Sequence, residues 1–462
     1  MHRRFGNIGL PTLQVLIATV LLIIILSVGQ VYIVRTQFHL LLLWQLLLAG
    51  IFLIYLVSKN CLSFTHIFII ALLTRLSLVF VMPNLSDDVY RFIWDGQLIN
   101  NGDNPLLTTP NTYLAQLTTT TNTYLYWQNL HSLINHPQFY TCYPPLMQGT
   151  FWVSALLGGA SITTSIIIIK LFILIADMLG IYYFYKLLKV LKIKTNKIVW
   201  YALNPLVILE GVGNTHYEVV QVAFMVMSLY FFTQNKLAKF VLIWATAILT
   251  KLLPLLLLPI IVKQLGWRKA IVTGFLCMII VLISFLPFLS LTAIKGFSSS
   301  LNLYFRNFEF NASLYYIARY IGWYVKGYNY ISFIGPLLSG FFLGLYAYIF
   351  FTKKINTLPQ VAHTILIVLT LYYLLATTVH PWYIINLLPF AIISNKSYAV
   401  VWQWAAFVSY YAYSQIPFAE STLLLCTQYG IVAIVIAYTY LPQRVLPYFS
   451  FFTNIKKGLT IN

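Results

Sequence analysis

Acidic residues are scarce in this chain: nine Asp and Glu among 462 residues, with charged residues of both signs making up only 8%. A soluble globular domain is about 25% charged, so that class is excluded. Cysteine is scarce as well. Cys61, Cys142, Cys277 and Cys426 stand apart without metal-type spacing, and three of them lie in apolar runs. That pattern argues against a disulfide framework. Neither a soluble domain at either end nor an internal repeat is visible.

What is abundant is apolar sequence, 60% of the chain, with a mean hydropathy of +0.83. The run "VLIATVLLIIILSVGQVYIV" after Pro11 is long enough to cross a bilayer core as a helix, which takes about 20 residues. Such runs are too long and too uniformly apolar for barrel strands, and only helices otherwise satisfy their own backbone in lipid. The first run lacks a small-residue cleavage site and more apolar runs follow, so it reads as a retained helix. The expected fold is all-α: a polytopic transmembrane helical bundle of about 11 to 13 spans. Residues 1–462 form a single integral membrane domain, with a long external loop at 84–145 that carries short amphipathic helices and a smaller external loop at 296–311.

The net charge is +19. In a soluble protein this points to nucleic acid; here Lys and Arg populate short loops between apolar runs and orient the chain instead. Arg3 and Arg4 place the N-terminus in the cytoplasm. Cytoplasmic loops follow at Lys192/Lys194/Lys197, Lys236/Lys239, Lys263/Arg268/Lys269, Lys353/Lys354 and Lys396, with Lys456 and Lys457 in the tail. Full crossings throughout 146–190 and 240–262 conflict with this scheme, so a segment in each is expected to be re-entrant or not a span at all. The scheme gathers nearly all acids on the outer face. The positive-inside rule does not explain that, because acids contribute little to topology.

Four of the nine acids fall in "NLSDDVYRFIWDGQLINNGDNP", Asn84 to Pro105. Ser86 is a good N-cap, and Asp87 and Asp88 sit in the first turn, where the helix dipole favours anions. Helical spacing puts Asp88, Arg91, Phe92 and Asp95 on one face. Gly96 and "NNGDNP" then end the helix. The bland reading is a capped amphipathic helix lying on the membrane. The functional one is a helix that presents a carboxylate into an external cavity, where it can deprotonate a hydroxyl or amine during group transfer. The rest of the loop is long for a connection, which favours function or disorder. Its aromatics argue for order, and Tyr143-Pro144-Pro145 makes a stiff turn into the next span.

Further candidates lie downstream. Pro205, Gly211 and Gly213 break "NPLVILEGVGNTHYE", and irregular backbone at membrane depth is tolerated only against protein or a water-filled cavity. His216 and Glu218 follow the break; as two ligands without a third they make a weak metal site. Lys251 is a charge inside an apolar stretch, a functional candidate by default, with snorkelling as the alternative. Arg306, Glu309 and Asn311 lie in "YFRNFEFNASLYY", where an arginine can hold a phosphate through bidentate contacts. "HPWY", His380 to Tyr383, is either a Pro-initiated helix start with belt aromatics or a wall for a lipid-linked sugar.

Together these segments resemble the GT-C superfamily of integral membrane glycosyltransferases, in its mannosyltransferase-like branch that uses polyprenyl-phosphate sugars. "SDDVYRFIWDG" looks like that group's first outer-loop signature. "YPPLMQ", "NPLVILEGVGNTHYE", "TKLLPLLLLP", "FNASLYY" and "HPWY" are similar to further segments of the branch in the same order, from about Ser86 to Tyr383. No single motif is specific; the resemblance rests on the ordered set. The resemblance implies an outward-facing cavity, a donor lipid in a groove between helices and inversion at the anomeric carbon. The base it implies is an Asp of the first outer loop, Asp88 or Asp87, with Asp88 favoured because it shares a face with Arg91 and Asp95. Arg306 or another basic group would stabilise the leaving phosphate. Arg91, Asp95, Tyr143, His216, Glu218, Asn311, His380 and Trp382 complete the expected substrate-binding set. His216-Tyr217-Glu218 departs from relatives that carry His with Asn-Asp, which leaves the role of Glu218 open. No metal or other cofactor is expected.

The leading expectation is therefore a glycosyltransferase moving a hexose, mannose first, from polyprenyl phosphate to a glycan, lipid or protein acceptor. It works on the extracytoplasmic face of the plasma (inner) membrane, with membrane lipid and no nucleic acid as partners. A lipid or solute transporter or flippase is the alternative, since broken helices and an intramembrane Lys suit one. It predicts ionisable groups at the midplane rather than acids at one face. A structural envelope protein would tolerate substitution through 86–103.

Overall fold

A computed structural model describes residues 10–118, 122–306 and 308–441. Arg3, Arg4, Lys456 and Lys457, whose charges enter the expected orientation, lie outside them. Three apolar helices open the chain: α1 (Leu10–Tyr32), α2 (Phe38–Ser58) and α3 (Phe64–Val79). The long loop then folds into three short helices, α4 (Asp88–Asn100), α5 (Pro110–Gln116) and α6 (Asn122–Ser132). Apolar sequence resumes in α7 (Pro145–Gly158) and α8 (Ile162–Val190). The next stretch is cut into α9 (Val199–Ala202), α10 (Pro205–Ile208) and a π-helical turn (Leu209–Gly213).

The second half begins with α11 (Glu218–Thr233), α12 (Leu237–Thr250), α13 (Leu253–Val262) and α14 (Trp267–Phe285). Then come α15 (Leu291–Arg306), α16 (Leu314–Lys326), α17 (Ile331–Thr352) and α18 (Leu358–Leu375). A 3-10 stretch (Pro381–Leu387) leads into α19 (Leu388–Ile393) and α20 (Tyr398–Ala406). A second 3-10 stretch (Phe407–Ser414) precedes α21 (Thr422–Tyr440). The described residues form no named strand. One isolated bridge, Phe310 with Thr378, ties the segment after α15 to the one before the first 3-10 stretch.

Among the described residues, seven helices are long and apolar enough to cross a membrane: α1, α2, α8, α14, α17, α18 and α21. Five shorter apolar helices accompany them there. The chain is a polytopic helical membrane protein. Large apolar side chains such as Leu46, Val57, Ile271, Phe275 and Leu337 stand on its surface; in a bilayer the acyl chains solvate them. Two apolar stretches are broken. The stretch 198–212 parts at Asn204-Pro205, where Pro205 cannot donate to a helical ladder and the Asn204 side chain accepts from the Leu206 N–H instead. The stretch 240–262 parts at Lys251, whose backbone is extended. The expected outer loop at 296–311 is largely the helix α15.

The most costly charges inside the bundle are paired, as burial demands. Arg75 of α3 meets Asp177 of α8 at 2.6 Å, and Tyr201 donates to the same carboxylate at 3.0 Å. Lys170 of α8 donates to three carbonyls, of Leu78 at 3.0 Å, Val81 at 2.5 Å and Gly213 at 2.8 Å. It thereby ties the end of α3 to the π-helical turn. Where helices approach most closely they use glycine, as small-residue contacts in membranes do. A Cβ on Gly96 would lie 2.2 Å from the Phe151 carbonyl oxygen, so α4 rests directly on the backbone of α7.

Candidate active site

A cavity of about 640 Å³ opens where α4, the 134–144 segment, the first turn of α11, the α12–α13 break, α17, α18 and the 377–386 segment meet. At one end it is lined by Arg35, Asp87, Asp88, Asn135 and His136, and elsewhere by Leu252, Leu253, Leu256, Leu338, Phe342 and Leu343. Of the expected site residues, Asp87, Asp88, Arg91, Tyr143, Glu218, His380 and Trp382 line it together.

The helix α4 begins at Asp88, with Asp87 as its N-cap residue. Ser86 still contributes, because its Oγ accepts from the Asp88 N–H at 3.3 Å. The two neighbouring carboxylates differ in their partners. Asp87 pairs with Arg35 and accepts from Asn135 Nδ2 at 2.8 Å. The Asp88 carboxylate has no hydrogen-bond or ion-pair partner among the described residues. The other acids are all engaged. Asp95 is held by Arg91, Asp103 by Tyr113 and Asp177 by Arg75. Glu210 is held by Tyr410, Glu218 by Lys251, Glu309 by Arg319 and Glu420 by Asn311 and Tyr316. Burial holds the Asp88 carboxyl above the usual carboxylate range. The charges of His216 and Lys251 oppose that rise, while Glu218 and Asp87 add to it.

One turn along, Arg91 Nε meets Asp95 at 2.8 Å and Nη1 donates to the Phe139 carbonyl at 2.9 Å. Asp95 is fully buried, accepts from Gln148 at 3.0 Å and does not line the cavity. It orients Arg91 and faces no ligand. Across the cavity, Glu218 opens α11 and receives Lys251 Nζ at 2.5 Å. Behind it the chain from Asn204 to Tyr217 is held by the π-helical turn and a left-handed Thr215. His216 Nδ1 lies 3.1 Å from Glu210 Oε2 without hydrogen-bond alignment, and neither ring nitrogen has a hydrogen-bond partner.

Instead of reaching the cavity, His216 stacks on Trp382 at 3.8 Å, and His380 stacks on the same indole at 4.4 Å. The three rings are stacked nearly parallel, and Trp382 and His380 line the cavity. Burial, helped by the nearby charges of His216 and Lys251, pushes the His380 imidazole down to about 3. It is neutral at any physiological pH.

Two expected residues lie elsewhere. Arg306 is exposed at the end of α15 and is not part of the cavity lining. Asn311 is buried outside it. Its N–H donates to Glu420 at 2.6 Å and its Nδ2 to the Val379 carbonyl at 3.0 Å. It clamps the chain beside His380. Asn135, Asn386 and Tyr413 line the cavity without having stood out in the sequence. Arg35 is the most informative omission. It lies between α1 and α2, a connection that the expected topology puts on the acidic face, against the trend of the other basic residues; that exception was a readable signal. Among the described residues no group of three or more His, Cys, Asp or Glu could hold a metal ion.

A cavity lined by a carboxylate without a partner among the described residues, by aromatic rings and by leucines has the mixed polar and apolar make-up of a small-molecule site. Residues 6–266 match the family described as Alpha-(1->6)-mannopyranosyltransferase, N-terminal domain, and the chain belongs to that family. It is a glycosyltransferase of a mannosyltransferase family. No curated protein and no solved structure matches it.

Proposed function

We propose that the protein transfers a mannosyl residue from a polyprenyl-phosphate donor to a hydroxyl of a glycan acceptor, with inversion, and that Asp88 is the general base. The reaction lies on the extracytoplasmic face of the plasma (inner) membrane and needs no metal. The observation that carries the reading is the isolation of Asp88: in a chain that engages every other acid, one carboxylate without a partner lines the cavity. A base must be free to accept a proton, and a raised pKa improves its driving force near neutral pH.

The family's name gives an α-(1→6) linkage, so an inverting reaction starts from a β-linked donor. The acceptor oxygen forms its bond to C1 as the bond from C1 to the phosphate oxygen breaks. That electron pair leaves with the polyprenyl phosphate, and the hydroxyl proton passes to Asp88. The aromatic side chains of His380, Trp382 and Tyr383 in the lining suit contact with a sugar ring. The leucines at 252, 253, 256 and 338 suit an isoprenoid chain.

The test is incubation of the purified protein, in lipid and with a chelator present, with labelled polyprenyl-phosphate mannose and a mannose-terminated acceptor. Label in the acceptor with an α-(1→6) linkage is the expected result. Transfer from a nucleotide-linked mannose alone, or only on adding a divalent cation, would overturn the donor or the metal-independence.

A further inference from the structure

We propose that Lys251 is the phosphate-binding residue, holding the phosphate of the lipid-linked donor and of the lipid phosphate left after transfer; this rests on the polyprenyl-phosphate reading above. A lysine within apolar sequence is costly unless it snorkels to the interface or serves a cavity. Lys251 serves the cavity. The helix breaks at this residue: α12 ends at Thr250, Lys251 is extended, and α13 starts at Leu253. Its side chain lines the cavity and is 28% exposed.

An ammonium has three donors. Lys251 spends one on Glu218 at 2.5 Å, and the Tyr383 ring lies 5.7 Å from Nζ. No further hydrogen bond of Nζ occurs among the described residues, so it has donors left for an anion while Glu218 fixes its position. The next residues in the chain, Leu252 and Leu253, line the same cavity with Leu256 and Leu338. Lys251 thus adjoins leucines that line the same cavity, the pairing of charge and apolar surface that an amphiphile with a charged head needs.

The other cations are less free. Arg35 pairs with Asp87. Arg91 is braced by Asp95 and the Phe139 carbonyl, though its Nη2 has no partner. Arg306 lies outside the lining. Lys251 and Asp88 line the same cavity, so one substrate can meet both the base and the phosphate site, as an in-line displacement at C1 requires. When C1–O cleavage leaves its electron pair on the phosphate, the ammonium stabilises the added charge.

The experiment measures binding of polyprenyl monophosphate and of the uncharged polyprenol to the full chain in lipid, without turnover. The proteins are the wild type, Lys251→Met and Lys251→Arg. Wild type is expected to prefer the phosphate by at least about tenfold, the scale of a charge-assisted hydrogen bond. Lys251→Met should lose that preference while still binding polyprenol, which shows that it is folded; Lys251→Arg should keep most of it. Inorganic phosphate should compete only weakly; strong displacement by it, with polyprenol failing to compete, would overturn the lipid headgroup as the ligand. Full phosphate preference in Lys251→Met would overturn the assignment of Lys251 alone and move the site to Arg91. Absence of any preference in the wild type would overturn the donor reading together with it.

Discussion

Asp87 and Asp88 are adjacent in the chain and opposite in bonding: Asp87 is tied to Arg35 and Asn135, while Asp88 has a carboxylate without a partner beside it. Chemistry follows bonding here. Removing a general base costs roughly 10²–10⁴-fold in rate. Removing a partly exposed ion-pair partner costs about 1 kcal/mol or less. Asp88→Asn is therefore expected to reduce transfer at least about a hundredfold, and Asp87→Asn about tenfold or less. Rates of the two purified variants decide it. An active Asp88→Asn ends the assignment.

The raised pKa of Asp88 has two consequences of opposite sign. As a base it must be ionised, so kcat/KM should fall on acidification through a carboxyl pKa above the ordinary value of about 3.9, and His380, already neutral, should add no limb of its own. For stability the direction reverses. A carboxyl whose folded pKa lies above its unfolded one favours the fold while protonated, and that contribution is lost as pH rises through the folded pKa. Asp88→Asn should therefore melt above the wild type at neutral pH while losing activity. A melting temperature below that of wild type at pH 7, with the two equal in acid, would contradict the burial argument.

Gly96 sets how closely α4 sits on α7. Since a Cβ there would meet the Phe151 carbonyl oxygen at 2.2 Å, Gly96→Ala must push α4 outward, and Asp88 with it. Overpacking of this kind typically costs about 1–3 kcal/mol. Loss of activity with a lowered melting temperature is expected, whereas Gly149→Ala, within α7 and with nothing within 4 Å of an added Cβ, should lose far less activity. Equal activity in the two variants would show that the α4–α7 contact does not position the site.

Much of the architecture was readable because it rests on local chemistry. Apolar runs define the long helices, Asn204-Pro205 and the 211–213 glycines mark a break, and the acid-bearing amphipathic pattern marks α4. What escaped depends on approach between distant segments. Arg35 meets Asp87 across 52 positions, and Arg75 meets Asp177 across 102; no local period encodes either pair. Arg306 and Lys251 show the same limit from the other side. Both are basic residues near plausible site segments, and only the packing of α13, α17 and α18 decides which of them lines the cavity. Asn311 looked like a ligand contact for a related reason: a buried polar residue in an aromatic segment fits either a site or a clamp, and the position of Glu420 makes it a clamp.

Arg75 and Asp177 give a test of how the bundle supports the site. Both side chains are almost wholly removed from solvent, and they join α3 to α8. Arg75 also donates to the Ala202 carbonyl at 2.9 Å, just ahead of the broken segment that leads to Glu218. Removing one partner of a buried pair leaves an uncompensated charge, at about 3–5 kcal/mol. Replacing both with apolar residues of similar volume is often neutral or stabilising. Asp177→Leu alone should therefore lower the melting temperature sharply, and adding Arg75→Met should restore much of it. If the pair also fixes the 199–217 segment, the double variant should be folded yet slow, because the Ala202 carbonyl has lost its donor. Full activity in a stable double variant would confine this pair to stability and leave positioning of that segment to Lys170, which holds the Gly213 carbonyl.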